Sequence, residues 1–201
     1  LDYIGFKKFD KNGAIIAEIR FVGLFTSDSY NQRAQNIPYL DRKVRSVVER
    51  SGFDYNSHDG KALFHILETL PRDELFQIDA VPLFRTSIGI LNLNLRPRCR
   101  AFVRKDKFER FVSTLVFVPR ELYNSILRTK IEKILCKAFN GELSSRYAQL
   151  SNDRIARWHF IIRTKPGKVP SPNTESINKK ISKVAQSWTD YFLEVLIDRW
   201  G

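Results

Sequence analysis

The chain contains no methionine, two cysteines, three histidines and nine glycines among 201 residues. Each shortage excludes something. With no methionine even at its first position, the sequence reads as a segment of a longer polypeptide. Two cysteines cannot make a disulfide framework, and a chain of this length buries roughly 70% of its unfolded surface without staples. Cys99 and Cys136 fall in a predicted strand and a predicted helix and read as small buried hydrophobes, which suits a reducing cytoplasm. No two glycines are separated by a single residue, so the GxGxxG phosphate turn is absent, as are P-loops, nucleophile elbows and zinc ribbons. No apolar run approaches the roughly 18 residues that span a bilayer, and Leu1-Asp2-Tyr3 is not a signal-peptide opening. A soluble protein with no membrane partner is expected.

The histidines do not assemble a metal set. His58 and His65 are seven apart with no third ligand at metal spacing, and both read as surface or cap residues. His159 sits between Trp158 and Phe160 in a predicted strand and is expected to face solvent or a partner. Asp73 and Glu74 lie near a helix start, where carboxylates favour the helix dipole without any catalytic role.

What the chain has in excess is positive charge: 34 Lys and Arg against 22 Asp and Glu, a net charge of +12. That invites a nucleic-acid reading. The distribution weakens it, because outside a denser patch from Arg96 to Arg110 the basic residues are scattered and sit beside acids, as in Asp41-Arg42-Lys43 and Glu49-Arg50. A basic module binding RNA or single strands is the alternative reading, with Phe102 between Arg100 and Arg104 as its aromatic platform.

Periodicity divides the chain into three stretches. From Ile4 to Leu24, alternating apolar residues around Asn12-Gly13 predict a β-hairpin, with Ile15, Ala17, Ile19 and Phe21 on one face of the return strand. An isolated hairpin is marginal in water, so it reads as the end of a larger sheet or a docked flap. From Asp41 to Leu95 the period turns helical. Leu40, Val44, Val47 and Val48 form one stripe, and Ala62, Leu63, Ile66 and Leu67 form a second behind Ser57 as N-cap. Pro71 opens a short turn through Phe76. Phe84, Ile88, Leu91 and Leu95 trace a third stripe, although the alternation from Ile90 to Leu95 equally permits a strand.

From Arg98 to Trp200 the order is strand, strand, helix, strand, strand, helix, which describes a two-layer α/β unit whose long helices cover one sheet face. Cys99, Ala101 and Val103 share one face of the first strand, and Arg98, Arg100, Phe102 and Arg104 share the other. Val112 to Val118 reads as a central strand. Leu122, Ile126, Ile131, Ile134, Leu135 and Ala138 build a helix stopped by Asn140-Gly141. A second hairpin turns at Asn152-Asp153 and places Trp158, Phe160 and Ile162 on one face. After a proline-rich loop, Ile177, Ile181, Val184, Trp188, Phe192, Val195 and Leu196 stripe the last helix.

Three strings, RFVGLFTSDSYN at 20–31, SHDGKALFHILETLPRDELFQI at 57–78 and AFVRKDKFERFVSTLVFVPRELYN at 101–124, together with SWTD at 187–190, resemble the amino-terminal half of the large bacterial NAD-specific glutamate dehydrogenases. In that family a long region of ACT-like and PAS-like domains with helical connectors precedes a catalytic domain that oxidatively deaminates L-glutamate to 2-oxoglutarate with NAD. The resemblance implies an α+β chain: residues 1–30 as a β-hairpin ending a PAS-like domain, 31–96 as a helical connector, and 97–201 as a ferredoxin-like, ACT-like sandwich. That sandwich has a mainly antiparallel four-stranded sheet and two covering helices. The lysine-glycine-glycine stretch of the catalytic domain has no counterpart here. No position is therefore assigned a catalytic, cofactor-binding or metal-ligating role, and NAD belongs to the parent enzyme. Where amino-acid-binding ACT domains commonly carry a glycine, this chain has Val118-Pro119-Arg120. The expected function is regulation and assembly in a cytoplasmic enzyme. Its partners are other domains of the same chain, homo-oligomer subunits and an effector of open identity, and Arg98, Arg100, Arg104 and Arg120 form the expected polar interface.

Overall fold

The computed structural model describes residues 2–150, 154–171, 173–186, 196–197 and 199–200. Trp188, Phe192 and Val195 of the expected last stripe, the Asn152-Asp153 turn and the SWTD string lie outside them. The chain forms two compact units, Leu1–Ala80 and Val81–Gly201.

The first unit opens with the hairpin β1 (Asp2–Phe9) and β2 (Ile15–Gly23). Asp10 builds the turn by accepting the backbone N–H of Asn12 and Ala14, both at 2.8 Å, and Gly13 supplies the positive φ of 82°. Register puts Ile4 beside Phe21 and Phe6 beside Ile19, so these four share one face, yet all of them are exposed. A one-turn helix α1 (Ser27–Asn31) follows, then α2 (Pro38–Ser51), α3 (His58–Thr69) and the short α4 (Arg72–Gln77). Helix α2 buries Leu40, Val44 and Val47 and ends on Gly52 at φ 66°. Helix α3 buries Leu63, Ile66 and Leu67, and Ser57 caps it by accepting Gly60 N–H at 3.0 Å. The Lys43 ammonium reaches the end of α4 and donates to the carbonyls of Leu75, Phe76 and Ile78 at 2.8, 2.9 and 2.7 Å. It satisfies oxygens that the helix itself leaves unpaired.

The second unit begins with α5 (Ala80–Leu95), which settles the ambiguous Ile90–Leu95 stretch as helix. Its buried stripe is Leu83, Ser87, Ile90, Leu91 and Leu93; of the expected stripe Leu91 is buried, Phe84 and Ile88 are half-buried and Leu95 is exposed. Apolar residues surround most of this helix, so spacing alone could not choose its inner face. The strands β3 (Arg100–Lys105), β4 (Phe111–Pro119), β5 (Glu142–Gln149) and β6 (Ile155–Arg163) form one antiparallel sheet in the order β3-β4-β6-β5. Helices α6 (Ser125–Phe139) and α7 (Thr174–Ala185) cover one face of it. Trp158, Phe160, Ile162, Val116, Leu127, Ile131, Leu135, Ile177 and Ile181 make that core. The inner stripe of α6 is Leu127, Ile131, Leu135 and Phe139, while Ile126 points to solvent, contrary to the spacing reading.

The second face of the sheet is not left to solvent either. An added Cβ on Gly89 of α5 would lie 2.5 Å from Cε1 of Phe102, so this helix rides close over β3 on the side away from α6 and α7. His159, on that same face opposite Leu115, is 5% exposed and shares a 2.8 Å hydrogen bond between its Nε2 and Ser113 Oγ. Its expected exposure is overturned because β4 and β6 are central strands, buried on both sides. The outer edge of β3 is closed at Ala101, whose N–H donates to Asn178 Oδ1 at 2.7 Å and whose carbonyl accepts from Asn178 Nδ2 at 3.4 Å.

Candidate functional site

The antiparallel register of β3 and β4 brings the start of one beside the end of the other, with Arg100 opposite Phe117. Arg98 precedes β3 and Arg120 follows β4, so Arg98, Arg100 and Arg120 gather at one end of the sheet. Arg104 lies on the same face as Arg100 but near the far end, opposite Ser113. The four arginines expected to act together are thus split three and one.

At the first end, Arg98 and Arg120 are exposed, and Arg120 N–H donates to Arg154 O at 3.0 Å, which adds a fourth basic residue there. Arg100 is half-buried, with its guanidinium carbon 5.8 Å from the Phe102 ring centroid. Across Phe117 from Arg100 stands Arg157 of β6, hydrogen-bonded to Gln149 Oε1. Burial pushes the Arg157 guanidinium down to about 10. Spacing gave no sign of Arg157, since a charged residue alternating with Trp158 reads as solvent-facing.

The opposite end is built differently. Arg104 lies 5.7 Å and Arg110 5.9 Å from the Phe111 ring centroid, and Arg110 lies 5.1 Å from that of Phe108. Phe102, the aromatic platform of the nucleic-acid reading, has its ring against Gly89 and edge-on to Phe117 at 5.8 Å, so α5 occupies the space where a base would stack.

Among the described residues, Ser113 and His159 share their hydrogen bond on a buried sheet face. No group of three or more His, Cys, Asp or Glu among those residues could hold a metal, and His58 and His65 are exposed on α3. Cys99 is buried, and burial first, then the Glu121 charge, pushes its thiol up to about 11, which keeps it protonated and unreactive. No helix among the described residues is long and apolar enough to cross a membrane.

Residues 37–96 match the family model of glutamate dehydrogenase helical motif 1, and residues 100–189 match that of the glutamate dehydrogenase ACT2 domain. Over 200 residues the chain is 38% identical to the NAD-specific glutamate dehydrogenase of Halomonas elongata and 35% identical to that of Pseudomonas aeruginosa. In both cases the alignment takes in 100% of this chain and 12% of the relative. The chain belongs to the NAD-specific glutamate dehydrogenase family. The Mycobacterium tuberculosis member is 30% identical over 187 residues, 87% of this chain and again 12% of the relative. The chain therefore spans about an eighth of the length of these glutamate dehydrogenases. Helix α5 falls within the helical motif 1 match by sequence, yet from Val81 onward it belongs to the same compact unit as the ACT2 sheet.

Proposed function

We propose that this chain is a regulatory and assembly segment of a large cytoplasmic glutamate dehydrogenase, whose remaining polypeptide uses NAD to deaminate L-glutamate to 2-oxoglutarate and ammonia. In this reading residues 1–30 close a PAS-like domain, 31–96 form a helical connector and 97–201 form an ACT-like domain. Its partners are the other domains of the parent chain and neighbouring subunits, and Arg98, Arg100, Arg104 and Arg120 supply polar contacts to them.

The observation that carries the reading is the hairpin. Phe6, Ile19, Phe21 and Val22 are 57–65% exposed on a two-stranded sheet, and such a hairpin is not stable by itself in water. An apolar surface of this kind is built to be covered. The tests are glutamate-dependent NAD reduction and sedimentation of the full parent enzyme, with and without Phe6→Ser and Phe21→Ser. Loss of assembly or of effector response is expected while the isolated segment stays inactive. NAD reduction by the segment alone, or a parent enzyme unaffected by the substitutions, would refute the proposal.

A further inference from the structure

The β3–β4 turn and the loop after β6 are locked together at the sheet end that carries Arg104. Thr164 donates its backbone N–H to Arg110 O at 3.0 Å and its hydroxyl to Glu109 O at 2.8 Å. Gly167 N–H donates to Glu109 Oε2 at 2.7 Å. Inside the turn, Asp106 is 6% exposed and accepts the backbone N–H of Phe108 and of Arg110, each at 3.2 Å, and Arg110 Nε at 2.9 Å. Glu109 is held at φ 57°, a region that L side chains seldom occupy, so the turn is determined by these bonds and not by local preference.

This rigid turn presents Phe108 at 66% exposure, with Arg110 packed on its ring. Residues 104–111 and 163–168 carry seven Lys and Arg against two carboxylates. Both carboxylates are engaged within the loops, Asp106 by Arg110 and Glu109 by Lys105 and Gly167. A fixed aromatic ring beside an arginine, inside a cationic collar, has the features of an interface anchor: little ordering entropy is lost on docking, and the charge selects an acidic surface.

We propose that Phe108 and its collar of cations form a preformed plug that docks into an acidic, apolar-floored pocket of the parent glutamate dehydrogenase, on polypeptide outside residues 1–201. The proposal rests on the assembly reading above, and the large share of the parent enzyme beyond this chain supplies the candidate surface. A single-stranded nucleic acid fits less well, because it needs successive open rings and Phe102 lies under α5. A membrane fits less well because one ring gives only marginal insertion.

The test is hydroxyl-radical footprinting of the full-length parent enzyme, reading oxidation of Phe108 by mass spectrometry against a free phenylalanine tracer. Phe108 is expected to oxidise at least about fivefold more slowly at low salt than at about 1 M salt, where the charge attraction is screened. Lys165→Glu with Lys168→Glu, both on the surface, should release the protection at low salt. A Phe108 rate equal to the tracer at every salt concentration overturns the plug, as does protection that nuclease or detergent removes. Footprint failure with assembly intact sinks the plug alone, whereas hairpin substitutions that leave assembly unchanged sink the wider reading and not the footprint.

Discussion

Gly89 of α5 and Phe102 of β3 occupy touching space: a Cβ at position 89 would stand 2.5 Å from one ring carbon and 2.8 Å from the next. Gly89→Ala gains up to about 1 kcal/mol of helix propensity but forces the ring off Phe117 or the helix off the sheet, at about 1–3 kcal/mol. A net loss of about 1 kcal/mol is expected in urea unfolding. In a Phe102→Ala background the same change should become neutral or stabilising, and a cycle without coupling would show that helix and strand do not meet.

Asn178 is the residue that completes Ala101. Asn178→Ala leaves the N–H and carbonyl of buried Ala101 without these partners and should destabilise the second unit by about 1–2 kcal/mol. Asn178→Asp should restore only part, because a carboxylate accepts from the N–H and repels the carbonyl. Thermal denaturation of the three proteins under one buffer condition decides the order.

Lys43 answers three carbonyls with one ammonium. Lys43→Met is expected to lower stability by about 1.5–3 kcal/mol, the range for hydrogen bonds that involve a charged group. Lys43→Arg should not rescue it, since a planar guanidinium cannot aim three donors at one converging set. Urea midpoints followed by tryptophan-independent far-UV signal would reveal an arginine rescue if there is one.

Cys99 should resist alkylation at neutral pH until the chain unfolds, while the half-buried Cys136, also raised by burial, reacts sooner. A thiol moved from 9.0 to about 11 has roughly one hundredth of its ordinary thiolate near neutrality. The folded chain holds this proton more tightly than the unfolded one. Its contribution is therefore full below about pH 9 and is lost as pH rises toward 11. Mass-spectrometric alkylation rates at the two cysteines across that interval measure both effects.

Much of this architecture is written locally. Asn12-Gly13, Ser57 and Asn140 announce their turn and caps through short-range chemistry, and the Val112–Val118 run announces a strand buried on both faces. What periodicity could not reach is determined by distant packing. The inner face of α5 depends on where the sheet lies, because apolar residues line the helix almost all round. The burial of His159 and Arg157 depends on what covers the second sheet face, and a polar residue alternating with Trp158 and Phe160 gives no hint of cover. The arginines followed the register of β3 and β4, so Arg98, Arg100 and Arg120 met while Arg104 did not. The Phe108 turn carries no local sign of its rigidity, which comes from Thr164 and Gly167, more than fifty residues further along.

The amide clasp of Asn178 on Ala101 also makes the sheet directional. With β3 clasped at Ala101, the margin of this sheet left for a visiting strand among the described residues is that of β5, where Tyr147 stands 62% exposed. Open-ended stacking through this four-stranded sheet needs both of its margins, so two copies joined along β5 would close that ladder instead of propagating it.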